Sequence, residues 1–332
     1  MISFPYMTLF YSTLILGTIF SLSGTHWIFI WMGMELNLLS FIPLMTFSFT
    51  HQEAEGAMKY FLAQVVGSGL ILLSIFTILS PLLLFIKMNI SFILLLGILL
   101  KCGLPPCHFW YPAVMALISW PMCMILSTWQ KITPLSILLY FIYLPSNFML
   151  MLFIMLISLI GGIGGLTQSQ LRPLLAYSSI GHMSWMLAAS IKSFLISFFY
   201  FISYMIMTLT LMMIFWIQNF YSSYSTNNMY KNSIYMFSLM ITLMSLGGIP
   251  PFFGFFPKWM VITILNTSLM MLVYILMIGS MINLYYYMNI LFIKFLEKQK
   301  YLSYNKYNKN KLYILLLIST SSLLISYIFM LI

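Results

Sequence analysis

Apolar residues run on in this chain for about twenty positions at a time, and polar residues fall mostly between the runs. About twenty apolar residues wound as an α-helix cross the hydrocarbon core of a bilayer. No water is available there, so each crossing must satisfy its own backbone hydrogen bonds, and a helix does so alone. On this ruler the sequence predicts eleven spans, at 6–23, 26–49, 57–80, 88–104, 121–144, 147–166, 172–190, 194–219, 233–263, 268–293 and 311–332. The expected fold is an all-α polytopic membrane protein. Composition closes the soluble alternative: only 5% of the residues are charged, against about 25% in soluble domains.

The charges that remain describe topology. Six of the fourteen basic residues lie between Lys294 and Lys311. With Lys59, Arg172 and Lys231 they fall on one side of the predicted spans, and Lys87 and Lys192 fall on the other. The positive-inside rule then puts the N-terminus on the matrix or cytoplasmic side and the C-terminus opposite. The net charge of +10 forms no aromatic-interleaved patch, so nucleic acid is not an expected partner. Cys102, Cys107 and Cys123 have neither zinc nor iron–sulfur spacing, and read as buried free thiols. No metal site is expected. The first residues, Met1-Ile2-Ser3-Phe4-Pro5, run straight into a span, with neither an Arg-rich presequence nor a charged n-region.

Two apolar runs are interrupted in the same way. Lys101 is followed by Cys102-Gly103-Leu104-Pro105-Pro106 and His108-Phe109-Trp110. Gly247-Gly248-Ile249-Pro250-Pro251 is followed by Phe252 to Phe256, Pro257, Lys258 and Trp259. Proline removes a backbone donor and clashes with the preceding turn, so each run must break. Broken backbone at membrane depth survives only inside protein or beside water, so both breaks should face an interior. The two Gly-Leu/Ile-Pro-Pro sequences stand 145 positions apart. That spacing divides the chain into a first five-helix repeat (1–145), a second (146–293), a basic matrix-side loop (294–310) and a C-terminal helix (311–332), all in one membrane domain, 1–332. An odd number of spans per repeat inverts the second copy, an arrangement that builds midplane sites in transporters.

A charge at the bilayer centre costs on the order of 3 kcal/mol, so each ionisable group inside a span needs a reason. Glu35, Lys101, His108, Lys131, His182 and Lys258 are the candidates. Glu35 and Lys131 sit well inside spans, too deep to snorkel to an interface. Lys101 and Lys258 stand beside broken backbone, whose freed carbonyls can solvate an ammonium. His108 and His182 read equally well as relay groups or as satisfied polar groups. Glu53 and Glu55 are expected at the surface. One carboxylate cannot neutralise three lysines. Either some lysines rest uncharged and ready to accept a proton, or carboxylates come from a neighbouring subunit.

These residues stand in a familiar order. W-M-G-M-E-L-N-L-L-S-F-I-P is followed by E-A-E-G-A-M-K-Y-F-L-A-Q, K-C-G-L-P-P-C-H-F-W and T-W-Q-K-I-T-P. Then come G-G-I-G-G-L-T-Q-S-Q-L-R-P-L-L-A-Y-S-S-I-G-H-M-S-W and G-G-I-P-P-F-F-G-F-F-P-K-W. From about residue 26 to 260 the chain closely resembles the subunit-2 branch of the antiporter-like membrane subunits of animal mitochondrial complex I, NADH dehydrogenase. Eleven spans is also what the animal form has.

The resemblance implies that Glu35 pairs with Lys101 on the first broken helix. It further implies that Lys131 is a central relay lysine, that Lys258 serves the second broken helix, and that His108 connects the axis to the matrix side. Protons would move along this axis, driven by quinone reduction elsewhere in the complex. NADH, FMN, iron–sulfur clusters and ubiquinone would belong to partner subunits, since this chain carries neither a dinucleotide fingerprint nor cluster ligands. Expected partners are other membrane-arm subunits and inner-membrane phospholipids, and the expected location is the mitochondrial inner membrane. Two positions depart from the family pattern: Ala113 stands where relatives commonly carry Glu, and Pro173 where many carry Lys. Both lie near the expected matrix access route. A cation/proton antiporter component without NADH chemistry, or a structural membrane-arm subunit, are the alternatives.

Overall fold

The computed structural model describes residues 5–47, 50–79, 87–141, 147–218, 233–250, 252–265 and 269–298. Every regular element among them is helical. Seven stretches are long and apolar enough to cross a membrane, and three shorter apolar helices flank the two breaks. The predicted span at 311–332 and residues 299–310 of the predicted basic loop (294–310) lie outside the described residues, while 294–298 are the end of a helix. The chain divides into two compact units, Met1–Leu150 and Met151–Ile332.

The first unit begins with α1 (Pro5–Ser23) and α2 (Trp27–Met45), packed along each other. Small residues allow the approach. A Cβ added at Gly33 would come within 2.6 Å of the Ser21 backbone nitrogen, and one at Gly17 within 3.0 Å of the Asn37 nitrogen. Without a hydrophobic drive between helices in lipid, such backbone proximity is what supplies contact. Next come α3 (His51–Leu79) and α4 (Lys87–Cys102), which meet at Gly67 and Gly97 in the same manner. The N-terminus of α3 is capped: the Glu53 N–H donates to Thr50 Oγ1 at 3.3 Å, the Thr-x-x-Glu pattern of a capping box. Glu53, expected at the surface, is buried there, whereas Glu55 is exposed and pairs with Lys59 one turn on.

The first unit closes with three shorter helices, α5 (Trp110–Leu117), α6 (Trp120–Ser127) and α7 (Trp129–Phe141). α5 lies against α3, and α7 against α4. α6 and α7 are one crossing, interrupted at Thr128. Cys123 is buried, its thiol directed at the Met115 and Ile118 carbonyls. Cys102 is also buried, but Cys107 is exposed, against the expectation that all three thiols are inside. It sits at the tip of the first break, where the chain has already turned outward.

α8 (Asn147–Leu166) leads into the second unit, which holds α9 (Leu171–Ser190), α10 (Phe194–Gln218), α11 (Ser233–Gly247), α12 (Phe255–Leu265) and α13 (Met270–Lys298). α9 is enclosed: nearly every side chain along it is buried, with α8, α10, α12 and α13 as neighbours. Its serines return their hydroxyls to backbone carbonyls one turn back, as at Ser178, Ser179, Ser184 and Ser190. A helix surrounded by protein need not be as apolar as one facing lipid. For that reason α9 is not among the seven stretches long and apolar enough to cross a membrane.

Candidate functional site

Both helix breaks are built by one local device. At the end of α4 the Gly103 N–H donates to the Leu100 carbonyl at 3.0 Å, and the Leu104 N–H to the Leu99 carbonyl at 2.9 Å. At the end of α11 the Gly248 N–H donates to Ser245 at 3.0 Å, and the Ile249 N–H to Met244 at 3.4 Å. This crossed pair of bonds is a Schellman ending, which needs a left-handed residue. Gly103 (φ 71°) and Gly248 (φ 77°) provide it. The prolines that follow forbid the helix to resume at once.

At the first break Lys101 turns inward, 7% exposed, and its ammonium donates to Glu35 Oε1 at 3.1 Å. Glu35 arrives from α2, well inside the predicted span that carries it. The carbonyls freed at the break have side-chain donors of their own. Gln64 Nε2 donates to the Lys101 carbonyl at 3.1 Å, and Trp110 Nε1 to the Leu100 carbonyl at 3.1 Å. The expectation that freed carbonyls solvate this lysine therefore fails here, because a carboxylate does so instead. The break is interior from Gly103 to Pro105, while Pro106, Cys107 and Phe109 are exposed.

Lys131 stands on the first turn of α7, 2% exposed, with its Nζ 4.6 Å from the centroid of the Tyr111 ring. A buried ammonium over an aromatic face is held by the ring quadrupole. Lys101 and Lys131 line the same cavity, together with Asn37, Tyr60, Gln64 and Gln130. Three of these polar groups are linked: Gln130 Nε2 donates to Asn37 Oδ1 at 3.0 Å, and the Tyr60 hydroxyl donates to Gln130 Oε1 at 3.5 Å. Sequence reasoning named the three charged residues here and missed the uncharged ones. Their signal was available, since Asn37 lies two positions from Glu35 and Gln130 adjoins Lys131, both inside apolar runs. His108 is buried beside the break, its Nδ1 3.4 Å from the Pro106 carbonyl and its ring 4.2 Å from that of Phe109.

In the second unit Lys258, on the first turn of α12, is 7% exposed, and its ammonium donates to the Gly247 carbonyl at 2.8 Å. This is the solvation by freed backbone that the sequence suggested, and the negative end of α11 adds to it. His182 on α9 is buried, its Nδ1 3.1 Å from the Tyr200 hydroxyl, with the Tyr204 ring 5.4 Å away. A periodicity argument could not have joined His182 to α10, since the partners lie on a different helix.

Comparison with known proteins gives this geometry a setting. The family model for NADH:quinone oxidoreductase/Mrp antiporter transmembrane proteins matches residues 24–283. NADH-ubiquinone oxidoreductase chain 2 of Lumbricus terrestris is 45% identical over 291 residues, 86% of this chain and 86% of that one. The chain of the same name from Locusta migratoria is 38% identical over 335 residues, covering 97% and 96%. Among solved structures, respiratory complex I from Thermus thermophilus with bound aureothin contains a chain of the same fold. It aligns with a TM-score of 0.83 at 21% identity, over 96% of this chain and 77% of that one. With the motifs, the paired breaks and these matches in agreement, the chain belongs to the NADH:quinone oxidoreductase/Mrp antiporter family, among its NADH-ubiquinone oxidoreductase chain 2 members.

Proposed function

We propose that this chain is a proton-translocating membrane-arm subunit of mitochondrial complex I. In this reading Glu35, Lys101, Lys131, His108 and Lys258 form its relay, and electron transfer from NADH to ubiquinone takes place in partner subunits. The observation that carries the reading is the ion pair between half-buried Glu35 and buried Lys101, with Lys101 lining the same cavity as Lys131. A few ångströms apart at an effective dielectric near 20, two unit charges attract by about 4 kcal/mol. Together they compensate each other. Parted, each is an uncompensated charge in a medium that penalises it, and moving a proton along the cavity relieves that penalty. The polar walls of this cavity can hold an ordered water, a link between the ammonium groups.

The signal that parts the pair must come from outside this chain, because a shift in equilibrium requires a differential interaction with its two states. NADH, FMN, iron–sulfur clusters and ubiquinone are assigned to those partners, with none bound here, and inner-membrane phospholipids surround the exposed apolar faces. The layout is eleven spans, with five-helix repeats at 1–145 and 146–293, the second inverted. The N-terminus lies on the matrix side and the C-terminus in the intermembrane space. Support for the repeat comes from the same Schellman-and-proline break recurring once in each compact unit.

The antiporter half of the family description keeps a second reading open: a cation/proton antiporter component without NADH chemistry. A native gel of mildly solubilised membranes, probed for this chain and stained in place for NADH oxidation, separates the two. Co-migration with NADH oxidation in a band far larger than 38.6 kDa is expected. Migration apart from that activity, with cation-dependent proton flux, would favour the antiporter. Within the complex, Lys131→Ala should leave assembly intact and impair pumping-coupled turnover. An unchanged proton-to-electron ratio and rate would remove Lys131 from the relay.

A further inference from the structure

Lys131 owes its position to a helix that starts badly. α7 begins one residue after the interruption at Thr128, whose backbone (φ −115°, ψ −70°) departs from the helical values. The Lys131 N–H then reaches only three residues back, to the Thr128 carbonyl at 3.2 Å. A tightened first turn has few backbone bonds to fix its rotation about the axis. Side-chain contacts therefore help to set where Gln130 and Lys131 point.

We propose that Gln130 is a positioning residue for Lys131, tying the start of α7 through one amide to α2, which carries Glu35, and to α3, whose Gln64 holds the backbone of Lys101. This rests on the relay reading above. The amide is engaged at both ends: its nitrogen donates to Asn37 Oδ1 at 3.0 Å and its oxygen accepts from the Tyr60 hydroxyl at 3.5 Å. Two partners of opposite kind fix the direction of the amide plane, which one partner would leave free to turn. Asn37 and Tyr60 are each 2% exposed, so a lost bond here is not made good by bulk water. Asn37 is two residues beyond Glu35 on α2. Tyr60 is one turn before Gln64 on α3, and Gln64 holds the Lys101 carbonyl. The bridge thus sets α7 against the helices that fix the ion pair, and all four uncharged groups line the cavity shared by the two lysines.

An amide has no proton to exchange near neutral pH. Gln130 therefore acts through Lys131, by fixing where that ammonium stands among the titratable groups around the cavity. These are Glu35 from α2, Tyr60 from α3, Lys101 and Cys102 from α4, and Tyr111 from α5.

The test uses the assembled complex carrying this chain with Gln130→Leu, Tyr60→Phe, both together, or Lys131→Ala. Displacing a working group by about an ångström can cost on the order of a hundredfold in rate, and a smaller displacement less. Gln130→Leu should keep normal abundance on a native gel, lose about tenfold of proton pumping, and move the midpoint of the turnover–pH profile. Tyr60→Phe should move both in the same sense but less. The double variant should be no worse than Gln130→Leu, because the two act through one bridge. Wild-type pumping and midpoint in Gln130→Leu, with pumping lost in Lys131→Ala, would overturn the positioning role alone. Pumping retained in Lys131→Ala would overturn the relay reading itself. If Gln130→Leu does not assemble, Tyr60→Phe decides, and an unchanged rate and midpoint there overturns the proposal.

Discussion

The two helix breaks share a backbone and differ in how they treat a lysine. At the first, Lys101 lies before the break, on the last turn of α4, and is met by the Glu35 carboxylate. At the second, Lys258 lies after the break, on α12, and reaches back to the Gly247 carbonyl. One ammonium is compensated by a full opposite charge from another helix. The other is held by the partial charge of its own broken helix. An ion pair can be opened by moving either helix, and opening it changes the electrostatics of the whole cavity. A local carbonyl contact moves with the break that makes it. The same turn therefore gives a site that responds to neighbouring helices in one unit and a self-contained one in the other.

The largest effect should come from removing the countercharge. Breaking a buried pair by deleting one partner costs about 3–5 kcal/mol, whereas losing a charged group's hydrogen bond to a carbonyl costs about 1–3 kcal/mol. Glu35→Ala should accordingly lower the thermal stability of the detergent-solubilised complex well beyond Lys258→Met. Equal losses would erase the distinction drawn between the two breaks.

Substitution at the two left-handed glycines sharpens the comparison. An L-residue in that conformation costs about 1–2 kcal/mol, and both positions pay it. At Gly103 the added Cβ would also meet the Tyr111 Cβ at 2.8 Å, close to backbone that cannot move easily. At Gly248 it would meet the mobile end of Lys258, with Nζ at 2.7 Å. Gly103→Ala should thus cost more stability, seen as reduced abundance on native gels. Gly248→Ala should assemble better but displace Lys258, seen as lower pumping per turnover.

Smaller effects follow from single bonds. Trp110→Phe removes the indole donor from the Leu100 carbonyl and should cost about 1 kcal/mol of thermal stability. The exposed Glu55–Lys59 pair is a control for the part-buried Glu35–Lys101 pair. Lys59→Ala should change stability by less than about 0.5 kcal/mol, and a larger loss would mean that this helix face is covered in the assembled complex.

Much of the fold was legible because bilayer physics writes it into the chain. Long apolar runs, Gly-Pro breaks and a few costly charges can each be read one segment at a time. The cost of a charge in the bilayer named Glu35, Lys101, Lys131 and Lys258 as residues that need a reason to be where they are, and the motifs carried the resemblance to the family. Burial by neighbours was not legible. Glu53 reads as a surface residue because its own helix begins there, yet it is enclosed. Cys107 reads as another buried thiol, yet the turn carries it outward. α9 reads as one span among eleven, yet nearly all of its side chains are enclosed by protein.

What the sequence determined by itself is the class of solvent, the helical architecture, the places where helices must break, and the identity of the charged groups. Those depend on local hydrophobicity and on the fixed φ and missing donor of proline. Packing set the contact each charge makes: a carboxylate for Lys101, a carbonyl for Lys258 and, with no sign in the sequence, an aromatic face for Lys131. It also decided that Asn37, Tyr60 and Gln130 form one bridge. Hydrogen bonds and ion pairs act over about 3 Å, and residues 66 or 93 positions apart come within that range only when helices pack.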